Sequence, residues 1–458
     1  MFEYSDKVVF KLSGLENGWI FGRTMDLYDN QWRVFRESVP LLTFVGLFHV
    51  LSLKLAGSVY RFQVQLLFGV SFVSVLHGYK IIYIVCLSSV NYVLLFLVRR
   101  DWLVWVVWVF SLSSLVLVSG TGESWPMFEF FKSFSGMENW SHHYNMLILK
   151  MISFGIDYSR VGDRDAADSL PTSEYSFGNY MCYLFYCPLF IAGPIISFNS
   201  WCAQLRVPPK SIAILAYFVR FLLIFFLMEI FSHFNYSNAI AAQKGDALTR
   251  VGSLFMALVV SVSVLFYMWL KVLLIWRFFR LWSLLAGIEA PENMNRCVLN
   301  NYSIAKFWKG WHSSFNIWII KYIYIPLGGS KKSLTIQIFN TMIVFLFVAL
   351  WHDLDWRVFH WAILVSLVFV PELLGGIIYR KYHPSKPIVI IAGSLNVFLL
   401  MACNLVGYVF GIDGLQTLIH IVTNNATIWS AIGIAIVFYS ATSLMMYLEQ
   451  LKADKRSK

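Results

Sequence analysis

Apolar runs of near-spanning length recur along this chain. A helix needs about 20 mostly apolar residues to cross the hydrocarbon core of a bilayer. Runs of this kind lie near 38–57, 62–76, 80–98, 102–119, 179–198, 211–232, 251–275, 335–351, 356–379, 387–411 and 426–448. They predict an all-α integral membrane protein, a polytopic bundle of about 10–12 spans. The runs 62–76 and 80–98 are short enough to be tilted or partly interfacial. The stretch 143–156 is shorter still and reads as a buried or re-entrant helix. No internal repeat or low-complexity segment divides the chain, so residues 1–458 read as one membrane domain.

Two polar stretches break the pattern. Residues 157–176 carry Arg160, Asp163, Arg164, Asp165, Asp168 and Glu174 and read as a mobile surface loop. Residues 277–332 differ in kind. Eight basic side chains (Arg277, Arg280, Arg296, Lys306, Lys309, Lys321, Lys331, Lys332) face two acids, Glu289 and Glu292, among many Trp, Tyr and Phe. Lys and Arg stay on the cytosolic side of a membrane protein, so this stretch is expected to face the cytosol and to lie in or against the bilayer.

Composition supports a membrane reading. Of 458 residues, 58% are hydrophobic and 13% charged, against about 25% charged in soluble domains. Too few charges remain to clothe a soluble surface of this size. The formal net charge of +11 fits basic loops and acidic lipids or cofactors. No nucleic-acid-binding motif accompanies it. The six cysteines, Cys86, Cys182, Cys187, Cys202, Cys297 and Cys403, have neither zinc-ligand spacing nor a disulfide pattern. Glu3, Asp6 and Lys7 with no apolar core behind them argue against a signal peptide, leaving the first span as its own insertion signal.

The candidate chemistry lies in the second polar stretch and just beyond it. Phe307 to Trp318 reads as an amphipathic helix, with Trp311, Phe315 and Trp318 on one face. His312 and Asn316 are four residues apart and would point the same way. An interfacial helix with a tryptophan belt fits the same pattern. Pro326 and the pair Gly328-Gly329 punctuate the chain after it. Their backbone N–H groups, with Lys331 and Lys332, suit a phosphate, and equally a plain turn. His352 ends the apolar run from Met342 to Trp351. Ionisable groups at membrane depth are costly and usually functional. A neutral imidazole there can take a proton from an attacking hydroxyl, with Asp353 and Asp355 placed either to orient it or at the water edge. A histidine snorkelling at the interface is the alternative. His142 and His143, beside Trp140, read as interfacial, and the remaining six histidines lack a second polar partner at useful spacing.

Four blocks in this order carry a family resemblance: Met151 to Tyr158, Tyr183 to Pro194, Phe307 to Ser330, and Ala349-Leu350-Trp351-His352. They resemble the signatures of the membrane-bound O-acyltransferase family, whose catalytic histidine matches His352. The run Pro291-Glu292-Asn293-Met294-Asn295-Arg296-Cys297, followed by Asn300-Asn301-Tyr302, is similar to the branch of fungal glycerol-uptake proteins and animal hedgehog acyltransferase. The second functional position falls on His312. It is Asp in hedgehog acyltransferase, which sets that substrate apart.

The resemblance implies a helical bundle with re-entrant or interfacial helices around a central tunnel. It implies long-chain acyl-CoA from the cytosol as co-substrate and a membrane lipid or lipid-anchored acceptor from the other side. It also implies no required cofactor and no metal. Catalytic roles fall on His352 and His312, with Asn316 supporting acceptor or oxyanion. Arg277, Arg280, Arg296, Lys306, Lys309 and Lys332 are candidates for the acyl-CoA phosphates. The hedgehog-type branch raises a haem–thiolate at Cys297. Glycosylphosphatidylinositol-anchor remodelling in the endoplasmic reticulum membrane is the implied task. N-palmitoylation of a secreted protein is an alternative. A polyol–proton symporter would need midplane ligands on broken helices, often with repeats, whereas no repeat is found and the polar residues cluster in one amphipathic segment.

Overall fold

The computed structural model describes residues 12–121, 125, 133–162, 169–206, 214–242, 254–352, 355–411, 416, 423 and 427–457. Helices dominate. A two-stranded antiparallel hairpin, β1 (Leu15–Asn17) and β2 (Thr24–Asp26), precedes them, with Leu15 opposite Asp26. Four helices follow: α1 (Asn30–Ala56), α2 (Arg61–His77), α3 (Ile81–Leu97) and α4 (Arg100–Thr121). Then come α5 (Trp140–Ser159), α6 (Phe177–Leu184), α7 (Phe198–Arg206), α8 (Ile214–Phe234) and α9 (Ser237–Ala242). The rest are α10 (Leu254–Leu285), α11 (Ile304–Gly310), α12 (Ser313–Ile319), α13 (Leu334–His352), α14 (Trp356–Tyr382), α15 (Lys386–Leu405) and α16 (Ile428–Ser457).

Eight of the described helices are long and apolar enough to cross a membrane: α1, α4, α8, α10, α13, α14, α15 with the turn that extends it to Phe410, and α16. The 17-residue α3 is apolar but shorter. Together these give the polytopic helical bundle that the hydropathy predicts. The run at 143–156 becomes α5, with every residue from Leu147 to Asp157 buried. It is an interior helix, enclosed on all sides. Gly155 lets α4 approach it closely, since a Cβ there would lie 2.6 Å from Val107.

The expected span at 179–198 does not form. Helix α6 stops at Leu184, a 3₁₀ turn covers Cys187–Leu189, and irregular backbone runs to α7. Pro188 and Gly193-Pro194 explain the break, because proline removes a helical donor and Gly193 sits at φ +115°. Irregular backbone at membrane depth survives only where protein satisfies it. Lys150 Nζ donates to the carbonyls of Tyr183 and Leu184 at 3.2 and 3.0 Å. The Tyr183 hydroxyl donates to the Ile196 carbonyl at 2.6 Å.

The polar stretch 157–176 also departs from a simple surface loop. Asp157 and Glu174 are buried. Asp157 takes the Tyr322 hydroxyl at 2.9 Å and lies 3.3 Å from Lys321 Nζ. Asp163, Arg164, Asp165 and Asp168 lie outside the described residues.

Candidate active site

The segment expected as one amphipathic helix is two. Helix α11 ends at Gly310, α12 starts at Ser313, and His312 stands between them at φ +42°, ψ +51°. That left-handed geometry is unfavourable for any residue with a Cβ. It persists because the chain around it is over-determined. Residues 293–295 run alongside as an extended clamp, and Met294 bridges to Trp311. The Ser313 N–H donates to the Asn293 carbonyl at 2.9 Å, and the Ser314 N–H to Asn293 Oδ1 at 3.2 Å. The Asn295 N–H donates to the Gly310 carbonyl at 3.1 Å, and its side chain to Ser313 Oγ at 2.7 Å. The Ser314 hydroxyl bonds Asn293 and accepts the Ile195 N–H at 2.8 Å. This last bond ties the Gly193-Pro194 segment to the start of α12. A far contact fixes α11 as well: Glu372 of α14 accepts the N–H groups of Ile304 and Ala305 at 2.6 and 3.3 Å.

The result is a buried imidazole held in one place. His312 packs against Trp276 of α10 at 4.3 Å and Phe315 at 5.2 Å between ring centroids. Its Nδ1 has no hydrogen-bond partner among the described residues. His312 lies outside the eight spanning helices. Burial, reinforced by nearby His352, pushes its imidazole down to about 3, so it is neutral at physiological pH and open to a ligand.

His352 is the last residue of α13. The final four carbonyls of a helix have no partner within it. Asn145 of α5 meets that need, donating to the Trp351 carbonyl at 2.8 Å while its own carbonyl accepts from Trp351 Nε1 at 2.8 Å. Trp351 then packs on Phe315 at 4.5 Å and on His312 at 6.3 Å. A π-helical turn at Val406–Phe410 brings Tyr408 within 6.2 Å of the His352 ring. Such turns recur at functional sites. Asp355 does not orient His352. It caps α14 and pairs with Arg357 at 2.6 Å, and Asp353 lies outside the described residues.

His312, His352 and Asn316 line one cavity of about 2170 Å³, well above the ~300–1,000 Å³ of a single small-ligand pocket. Gln337, Thr341, Val344, Val348 and His352 line it at helical spacing. It therefore follows α13 for roughly 22 Å, at 1.5 Å per residue. That length suits an extended chain. The walls are mostly aromatic and aliphatic.

The basic candidates separate. Arg277 and Arg280 pair with Glu292 at 3.9 and 3.8 Å and cover the Tyr217 ring. Arg296 pairs with Glu449 at 3.1 Å, and Lys306 meets the same carboxylate. These four hold helices together. Lys309 is exposed and lines the cavity. Lys332 is exposed, with its stem beside Gly328. The Gly328 N–H donates to the Ile325 carbonyl at 2.9 Å, so it serves the turn. Cys297 is half-buried and absent from the cavity lining, although Val298 and Leu299 belong to it. A haem–thiolate needs a porphyrin-wide slot against the sulfur. The cavity passes this thiol by, and the residues around it do not fit the group.

These features meet the sequence pattern of the membrane-bound O-acyltransferase family, which matches residues 35–411. The chain belongs to that family. It is similar to the membrane-bound O-acyltransferase GUP1 of Candida tropicalis, 35% identical over 445 residues, covering 89% of this chain and 75% of that protein. It is similar also to gup1 of Schizosaccharomyces pombe, 33% identical over 484 residues, covering 95% and 82%. The protein-cysteine N-palmitoyltransferase HHAT of Mus musculus is more distant, 28% identical over 221 residues and 46% of this chain. The chain is thus a multi-pass membrane-bound O-acyltransferase.

One cavity residue escaped the sequence reading. Lys271 is the single charge between Arg250 and Arg277, inside the apolar run of α10. It is buried, lines the cavity and pairs with Asp29 at 2.6 Å. A lone charge within a span was the signal that could have found it.

Proposed function

We propose that this enzyme moves a long-chain acyl group from acyl-CoA to a hydroxyl of a lipid or lipid-anchored acceptor. The observation that carries the reading is the shared cavity: His312, buried, and His352, half-buried, both pack against the Trp351 ring and line one chain-length space. In the proposed reaction His352 takes the hydroxyl proton as that oxygen attacks the thioester carbonyl. His312 donates a hydrogen bond to the developing oxyanion or holds the acceptor, with Asn316 beside it. The carbon–sulfur bond then breaks, and the imidazolium returns the proton to the leaving thiolate. Lys309 and Lys332 are the basic candidates left free of an ion pair among the described residues, and we assign them to the CoA phosphates. The cytosol is the side on which 277–332 lies in this reading.

Remodelling of glycosylphosphatidylinositol anchors in the endoplasmic reticulum is the task that fits the fungal branch. Lipid analysis of membranes lacking and then regaining the protein tests it. A lyso-lipid should accumulate without the protein and disappear on return of the wild type but not of His352→Ala. An unchanged lipid profile would sink the lipid-acceptor reading. The partial likeness to the murine palmitoyltransferase keeps an N-terminal amine as the second acceptor class.

A further inference from the structure

The cavity has a second polar station. Where α1 begins, Asp29 and Lys271 form their 2.6 Å ion pair. Beside them Tyr267 lines the cavity at 1% exposure, and its hydroxyl has no partner among the described residues. The Asn238 side-chain amide lines it too, and its NH₂ is likewise buried without a partner. A buried donor left unpaired is costly to the fold. Two together, both on the wall of a cavity, mark a place built to be completed by a ligand.

The chemistry of that ligand follows from the donors. Lys271 has three N–H bonds to give and spends one on Asp29. The Tyr267 hydroxyl and the Asn238 amide add more. The station therefore offers donors to oxygen acceptors, with the Asp29 carboxylate as a counter-acceptor. Its charge is already balanced, one cation against one anion. A phosphate would bring two negative charges to a lysine that Asp29 has neutralised. Neutral hydroxyl groups, which both accept and donate, match the array.

Position along α10 says what the station does. Lys271 precedes Trp276 by five residues, about 7.5 Å of helix rise, and Trp276 packs against His312 at 4.3 Å between ring centroids. A head group bound at Lys271 therefore sits about one and a half helical turns along α10 from the ring that His312 packs against. We infer that Asp29, Lys271, Tyr267 and Asn238 form a recognition site for the neutral polyhydroxy head group of the acceptor, and that this site holds part of the head group while another of its hydroxyls reacts. The inference rests on the acyl-transfer reading for its consequence but not for binding.

The test uses full-length protein in lipid nanodiscs, with a 1-monoacylglycerol and a long-chain primary alcohol as paired probes. Palmitoyl-CoA is the donor. Tyr267→Phe removes only an unpartnered hydroxyl, so the fold should hold. It should raise the KM for the monoacylglycerol about fivefold, the usual scale of one hydrogen bond, and leave the KM values for the alcohol and for palmitoyl-CoA unchanged. Asp29→Asn combined with Lys271→Met keeps the helix cap and removes both charges; it should give the same pattern more strongly. Equilibrium binding of both probes to His352→Ala protein separates this site from the catalytic reading. Tighter binding of the monoacylglycerol, lost in Tyr267→Phe, supports the site even if no transfer occurs. Equal binding of the two probes, or equal losses for both in the variants, would overturn it.

Discussion

The two histidines of the cavity are held in opposite ways. His352 ends a long helix and takes its position from that helix, whose terminus Asn145 ties to α5 through paired bonds with Trp351. Its ring makes aromatic contacts with Trp351 and Tyr408. No ordinary hydrogen bond to its ring exists among the described residues. His312 sits in a strained left-handed turn, clamped on both sides by residues 293–295 and 313–314. One side chain is carried by regular structure with its ring free; the other by irregular structure forced to one geometry. A ring that must accept and return a proton gains from freedom of its nitrogens. A ring that must present a donor at a fixed point gains from being locked.

That contrast makes loss of His352 the larger effect. His352→Ala should abolish transfer to any acceptor while the protein still inserts and folds, because the helix end is fixed through Trp351 and Asn145. Turnover of purified protein against a size-exclusion profile checks it. Near-normal turnover would remove His352 from the chemistry.

Much of this was legible in the chain. Hydropathy found all eight long helices and placed five of them within about three residues at both ends, since burial in a bilayer is a property of composition; α1 starts eight residues earlier than expected and α16 ends nine later. The helix α10 runs on to Leu285, ten residues past the expected end at 275. Its aromatic and arginine-bearing tail continues the helix, and Arg277 and Arg280 find Glu292 and Tyr217 there. What failed was local continuity. Apolar composition at 179–198 read as a span, yet Pro188 and Pro194 outweighed it. Helical spacing at 307–318 read as one helix, yet the clamp from Asn293 and Asn295, remote in the fold's logic though near in sequence, breaks it at His312. Periodicity reports which face is buried; it does not report a strained residue that distant hydrogen bonds impose. The site histidines were visible as residues, and the cavity that they share was implied only by the family resemblance.

The second effect in size belongs to His312. His312→Ala should slow the reaction by about 10²–10³, the scale of one lost oxyanion donor, and less than His352→Ala. His312→Asn should keep more activity than His312→Ala for two reasons. Asn retains a donor, and it tolerates the left-handed backbone better than Ala. Steady-state rates at saturating donor give the ranking. If His312→Ala matched the wild type, the strained turn would be a structural feature alone.

The clamp predicts a third, smaller effect. Asn293 acts through its oxygens, since Oδ1 and the main-chain carbonyl take the N–H groups of Ser314 and Ser313, while its Nδ2 has no partner among the described residues. Asn293→Asp keeps the acceptor and should stay within a few-fold of wild type. Asn293→Leu loses it, and a shift of His312 by about 1 Å can cost up to about 100-fold. The loss should appear in kcat with the donor KM little changed. Equal behaviour of the Asp and Leu variants would show that the clamp does not position His312.

The smallest effect should come from Asn316, and its size discriminates between the two modes of support. Asn316 lines the cavity half-buried on α12, one turn beyond His312. Its backbone N–H donates to the His312 carbonyl at 3.0 Å, a bond that any residue except proline can make. Its side chain has no hydrogen-bond partner among the described residues, so it neither belongs to the clamp nor touches His352. Asn316→Ala therefore leaves the strained turn intact and removes a single polar group from the cavity wall. If that amide meets only the acceptor, the loss should be roughly two- to tenfold, the scale of one hydrogen bond, and it should appear in the acceptor KM. A loss in kcat as large as that of His312→Ala would mean that Asn316 meets the reacting oxygen itself. The oxyanion donor would then be shared across one turn of α12, and the locked turn at His312 would serve both residues.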